Sequence, residues 1–307
     1  MNNNALFYPY INIPNNKWLT ETLLYWDKLS SIVPFSVTNN TEQLSESMQV
    51  LKSAGLVNYV LPMEHISDSR RLREVFMPIA IRWMENNKDR ELTYTRIHIE
   101  KIGDLSKELK DAGIIIEDVE PWYLMPDSLA VVFMETLAIE LSKSEDIDAV
   151  PVTNIPVLQS DRAGIRNIVL ENIMPVPEGQ ISIKAIARFK LDKGHLTKKF
   201  RNSIESKTIE INNIQIPEDR AEYMKTKVEE LVEESKEIGD AMESTLGKIM
   251  TNSIMPIVVG VFADPIAAPF AITSGIAQGV DELIDRNISK NKPLAYANLA
   301  NTMMSNG

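Results

Sequence analysis

The sequence predicts an α/β N-terminal region, with parallel strands alternating with helices, followed by a mainly α-helical C-terminal region. Two observations carry this. Short aromatic and β-branched runs alternate with helix-period segments as far as residue 160, the pattern that parallel pairing through right-handed crossovers produces. Beyond Gly164 those runs give way to longer segments with apolar residues three and four apart. The expected division is an α/β domain over 1–160 and a helical domain over 161–307. The helical domain would hold a long amphipathic helix at about 218–250 and an apolar helical hairpin at about 254–284.

Taken in order, "ALFYPYINI" (5–13) reads as a strand bounded by Asn and Pro. In "NKWLTETLLYWDKLSSIVP", Leu19, Leu23, Trp26 and Val33 are spaced for a helix that Pro34 stops. "TEQLSESMQVLKSAG" places Leu44, Met48 and Leu51 on one helical side, with Gly55 as its C-terminal stop. "LVNYVLP" is a short buried strand, and "SRRLREVFMPIAIRWMENN" a helix interrupted at Pro78. "YTRIHIEKI" (94–102) alternates with a period of two and reads as a strand throughout. A short helix "DLSKELKDAG", a strand "IIIEDV" and a helix "DSLAVVFMETLAIELSKS" follow, the last with Asp127 as N-cap. "DAVPVTNIPV" is the final extended piece of this region.

In the C-terminal region "QISIKAIARFK" alternates like a strand, yet Ile183, Ile186 and Phe189 also suit a helix, the reading preferred here. "HLTKKFRNSI" is helical, with Leu196, Phe200 and Ile204 four apart. From Pro217 the longest helix keeps a four-three rhythm through Met224, Val228, Leu231, Ile238, Met242 and Ile249, broken at Ser235 and Thr245.

The N-terminal residues resemble a family of uncharacterised bacterial proteins. The likeness is carried by "ALFYPYI", Trp18-Leu19, "LLYWD" (23–27) and "IVP" (32–34). Sparser patches follow in "FMETLA" (133–138), "PVTN" (151–154), "MPVP" (174–177) and "FRNSI" (200–204). Where the resemblance leads to an Asp after "PVT", this chain has Asn154. The resemblance implies a cytosolic bacterial fold and no particular activity.

Composition removes whole classes of chemistry. The net charge is −11, from 32 basic and 43 acidic residues, and works against a broad nucleic-acid surface, so no nucleic-acid partner is expected. With no cysteine, there are no disulfides, thiolate nucleophiles or Fe–S clusters. Three histidines, His65, His98 and His195, are too scattered in sequence for a histidine-rich metal site. The first residues lack the basic and apolar regions of a secretory signal, which gives a cytoplasmic expectation. No Gly-rich phosphate loop, P-loop or nucleophile elbow is present, so no catalytic residue and no cofactor is assigned.

Four features remain as candidates. Ligands in open α/β sheets bind beyond the carboxyl ends of the strands. The residues there include Glu64-His65, Glu100, Glu117-Asp118 and Thr153-Asn154. No metal site is assigned, but Glu117, Asp118 and Glu64 are the carboxylates nearest to one, and "EDID" (145–148) adds an Asp-x-Asp. "RFKLDKGHLTKKFR" concentrates Lys190, Lys193, Lys198, Lys199 and Arg201 as a basic patch, or as the solvated side of a packed helix. The long helix is a self-association element through Met242 and Ile249, or packs on its own domain.

The fourth feature is the apolar tract "IMPIVVGVFADPIAAPFAITSGIA" (254–277). Pro256, Pro265 and Pro269 cut it into pieces of half a membrane span, and Asp264 is costly in lipid, about 2.5–3.5 kcal/mol. It reads as a hairpin of two short helices, buried or interfacial, with Val259, Phe262, Phe270 and Ile272 as its contact residues. The leading expectation is a soluble protein that interacts with protein partners, including copies of itself. The alternatives are a metal-dependent enzyme using strand-end carboxylates and a membrane-active effector, of the toxin or phage-defence type, that deploys the hairpin.

Overall fold

The computed structural model describes residues 4–66, 69–155, 160–174, 182–243 and 293–305. The chain forms two compact units, Met1–Pro14 with Lys28–Thr153, and Asn15–Asp27 with Asn154–Gly307.

The first unit holds the strands β1 (Asn4–Phe7), β2 (Lys28–Ile32), β3 (Val57–Val60), β4 (Tyr94–His98), β5 (Ile116–Glu117), β6 (Trp122–Pro126) and β7 (Ala149–Val152). Helix α1 (Lys17–Tyr25) lies between β1 and β2 in sequence but belongs to the other unit. The helices of the first unit are α2 (Phe35–Asn39), α3 (Glu46–Ser53), α4 (Pro62–His65), α5 (Arg70–Asn86), α6 (Ile99–Ile102), α7 (Ser106–Asp111) and α8 (Asp127–Ser142).

Four strands form a parallel sheet in the order β3-β2-β1-β7, with Ala5 opposite both Leu29 and Val150. From β1 the chain steps outward to β2 and β3, then returns to the other side of β1 as β7. The order therefore reverses at β1. Between β3 and β7 the chain builds a second, antiparallel sheet in the order β4-β6-β5, with Ile97 opposite Tyr123. The core lies between these elements. Leu6, Ile32, Phe76, Leu129, Phe133 and Leu137 are all buried in it, and the rings of Phe76 and Phe133 meet edge to face at 5.0 Å.

Local signals explain most boundaries. The Ser45 hydroxyl accepts the Met48 N–H at the start of α3. Gly55, at φ 69°, ends that helix in the left-handed conformation that glycine adopts without strain. Helix α5 runs unbroken through Pro78, which lies on its exposed side.

Elsewhere tertiary pairing overrides sequence spacing. The helix expected to continue to Val33 ends at Tyr25, and Lys28–Ile32 is instead a strand, because it hydrogen-bonds to both β1 and β3. The strand expected over 94–102 stops at His98, whose ring accepts the Glu100 N–H and caps a helical turn. "IIIEDV" contributes only Ile116 and Glu117 to a sheet, while Ile114 and Ile115 are buried in the core. Asp127 is the first helical residue of α8 rather than its cap, where its charge favours the helix N-terminus.

The second unit is helical: α1 packs with α9 (Asp161–Ile173), α10 (Ile183–Lys193), α11 (Thr197–Asn212), α12 (Pro217–Glu243) and α13 (Ala295–Ser305). Phe200 on α11 meets Tyr296 on α13 at 5.4 Å and Tyr25 on α1 at 6.2 Å. On α12 the buried residues Met224, Val228 and Leu231 follow the predicted spacing. Met242 falls on the α12 backbone. Ile249 and the apolar tract with Val259, Phe262, Phe270 and Ile272 lie outside the described residues. Among the described residues no helix is long and apolar enough to cross a membrane.

Candidate functional site

The carboxyl end of β1, where the strand order reverses, is the position at which open α/β sheets leave a crevice for ligands. Here it opens into a cleft of about 820 Å³, within the range of small-molecule sites. One wall is the segment leaving β1, Pro9 to Asn12; the others come from β4, α6, Trp122 and the first turns of α8. The wall is pinned at several points. The Tyr8 N–H donates to the Val152 carbonyl at 3.1 Å, and the Ser31 hydroxyl donates to the Ile11 carbonyl at 2.7 Å. The Asn12 side chain accepts the Ser45 N–H at 2.8 Å and donates to the Gln43 carbonyl at 3.5 Å.

Three residues of the β4–α6 junction define the chemistry. His98 lines the cleft, 2% exposed, and stacks edge to face on Trp122 at 5.0 Å. Its Nδ1 accepts the Glu100 N–H at 3.2 Å, so Nδ1 carries no hydrogen and Nε2 donates to the Ser36 hydroxyl at 3.1 Å. Burial lowers its pKa, opposed by Glu100 and helped by Lys101, which keeps the ring neutral.

Ser36, His98 and Glu100 have the composition of a hydrolytic triad but the wrong tautomer. A serine base must accept the hydroxyl proton at Nε2, whereas here Nε2 is the donor. Glu100 is committed elsewhere, because its carboxylate accepts the Phe35 and Ser36 N–H groups at the start of α2. A histidine cap and a glutamate cap are the outcome.

Lys101 is different. It lines the cleft with only 6% of its surface exposed, and among the described residues no hydrogen bond or ion pair engages it. Burial alone pushes its ammonium down to about 7. Asp127, at the start of α8, lines the same cleft but makes no ion pair with Lys101, and the carboxylates closest in the β4–β5 region are engaged elsewhere. Glu100 holds α2, and Asp118 is paired with Arg96 at 2.6 Å.

The metal candidates are not brought together as a site. Glu117 pairs with Lys110, Asp118 with Arg96, and Glu64 is exposed on α4. Glu145, Asp146 and Asp148 of "EDID" are exposed in the turn before β7. Among the described residues no group of three or more His, Cys, Asp or Glu side chains is arranged to hold a metal ion. Thr153 and Asn154 mark the point where the chain passes from one unit to the other.

The basic segment does not form a surface patch as a whole, since two of its five cations are used inside the helical unit. Lys190 donates to the carbonyls of Leu23, Trp26 and Asp27, at 2.7, 2.6 and 3.0 Å, where α1 ends. Arg201 is fully buried and pairs with Asp27 at 2.6 Å. Lys198 and Lys199 are exposed, and Lys193 is half-buried.

Beside them Glu205, also buried, accepts the Tyr25 hydroxyl at 2.7 Å and the guanidinium groups of Arg162 and Arg166. Burial pushes the Glu205 carboxyl up, but Arg166, with hydrogen bonds from Arg162 and Tyr25, outweighs it and holds the carboxyl below the usual range. The Arg166 and Arg201 guanidiniums also lie over the Trp26 ring, at 5.2 and 5.8 Å. The charges of this cluster are paired with one another, and it reads as structural.

No family model, no curated protein and no solved structure matches the chain.

Proposed function

We propose that the α/β unit binds a small molecule in the cleft at the carboxyl end of β1. The observation that carries this is Lys101, a buried amine with no protein partner among the described residues, set in the wall of a cavity of ligand size. Burying a charge without a counter-ion costs stability, and such a cost is typical of functional positions rather than structural ones. Trp122, Ile97 and Met134 supply apolar wall, and Thr95 and Asp127 supply polar groups to orient a ligand. The test is thermal-shift screening of small carbonyl and carboxylate compounds against the wild type and Thr95→Trp, which fills the cleft. A binder present at about 100 times its Kd stabilises the wild type by about 2.7 kcal/mol and leaves Thr95→Trp unmoved. Equal shifts in both proteins would contradict the assignment.

A second reading, self-association, is supported by helix α5. It exposes Val75 at 48% and Ile79 at 43%, one turn apart on the same side, as apolar surface for a second copy of the chain. Light scattering that reports a concentration-independent monomer, unchanged by Ile79→Asp, would remove it.

A further inference from the structure

We propose that Lys101 is a nucleophilic amine that takes an aldehyde or ketone ligand as an imine inside the cleft at the carboxyl end of β1. This rests on the ligand-binding reading and adds the chemistry of the bond.

Two lysines of this chain are drawn inward in different ways. Lys190 is drawn inward and gives its amine three backbone carbonyls that would otherwise lack partners at the end of α1. Lys101 is buried more deeply and receives nothing comparable among the described residues. No carboxylate acts on it either, since burial is the single influence on its proton affinity. An ammonium in that setting is disfavoured, and the neutral amine keeps an unshared electron pair near neutral pH. That is the state in which a lysine attacks a carbonyl carbon.

Position supports the chemistry. Lys101 is on a single helical turn that Gly103, at φ 61°, ends immediately afterwards, so its backbone is fixed by the β4–α6 junction. His98, neutral and held at both ring nitrogens, keeps a second positive charge away from the amine. Trp122, Ile97 and Met134 add apolar surface to the wall in which the amine sits.

The step balances without any further reagent. The Lys101 nitrogen pair forms a C–N bond to the carbonyl carbon while the carbonyl π pair moves to oxygen, giving a carbinolamine. The nitrogen then forms the C=N bond as the C–O bond breaks. Both amine hydrogens leave with that oxygen as one molecule of water.

The experiment exposes the full-length chain at pH 7 to benzaldehyde with sodium cyanoborohydride, which reduces an imine to a stable amine, and maps the modified lysines by peptide mass spectrometry. At that pH about half of a Lys101-like amine is neutral, against about one in 2,500 for an exposed lysine. Labelling of Lys101 at least about ten-fold faster than Lys107 and Lys198 is expected. Thr95→Trp slows Lys101 alone, and Lys101→Arg removes its signal. If Lys101 reacts no faster than the exposed lysines while benzaldehyde still shifts the melting of wild type and Lys101→Arg, the imine is refuted and the ligand-binding reading stands. If benzaldehyde and the screened compounds neither label Lys101 nor shift melting, both fail.

Discussion

Replacing Lys101 by methionine gives the sharpest physical test of its environment. The lysine is held at about 7 in the folded chain against an ordinary 10.5. Because the folded pKa is depressed, the unfolded chain binds more protons between pH 7 and 10.5, and stability rises with pH across that window. Integrating the linkage gives a penalty of about 4 kcal/mol at pH 7 that falls to about 2 kcal/mol at pH 9. Methionine has a similar length and no charge, so the penalty is absent from Lys101→Met at both values. Urea unfolding of the two proteins, followed by tryptophan emission, measures this directly. The variant is more stable than wild type at pH 7, and its advantage shrinks by about 2 kcal/mol on going to pH 9. Taking the difference between the two proteins removes the titration of Lys190, whose ammonium burial also depresses, to about 8. An advantage that does not change with pH, or a variant less stable at both values, would show that the Lys101 ammonium is solvated or paired.

Two further perturbations address the helical unit. Glu205→Gln removes the charge that holds Arg166 and Arg162, and is expected to cost about 3 kcal/mol in urea unfolding, with Tyr25→Phe costing less. Glu21 is raised to about 7 by burial and by Glu171, against the pull of Lys17, so it stabilises the fold below pH 4.5 and loses that contribution as pH rises through 7. Glu21→Gln flattens this part of the pH–stability profile, a difference of up to about 3 kcal/mol at pH 8.

The fold class is legible in the sequence because its signals are local. The apolar run at 5–7, the Val- and Tyr-containing run at 57–60 and the helix period over 127–142 need no partner to be recognised. What depends on distant pairing is not legible. Lys28–Ile32 has the spacing of a helix tail and becomes a strand only because β1 and β3 flank it. Strand β6 contains Pro126 and carries no alternation, and is defined by its antiparallel partners β4 and β5. The strand-end rule applied to the sequence points to the ends after residues 60, 98, 117 and 152, and only the strand order singles out the carboxyl end of β1. The carboxylates it suggests, Glu64, Glu117 and Asp118, owe their prominence to sequence position alone, and the structure pairs Glu117 and Asp118 with cations. Lys101 gives no signal in the sequence, because a lone lysine in "IEKI" reads as solvated. Only the packing around it shows that the residue is drawn into the cleft wall with no ion pair among the described residues. The same holds for Arg201, whose burial follows from Asp27, 174 residues earlier.

The excursion of the chain between β1 and β2 governs how this protein can be taken apart. A fragment beginning at residue 161 would omit Asn15–Asp27, and with it the tyrosine that Glu205 accepts, the aspartate that neutralises Arg201 and the carbonyls that Lys190 caps. A fragment ending at 160 would carry those same residues orphaned, with their hydrophobic face bare. Neither half is expressible by a single cut. Excision of either unit calls for a rejoined chain in which Pro14 is linked across to Lys28, or α1 is spliced ahead of α9.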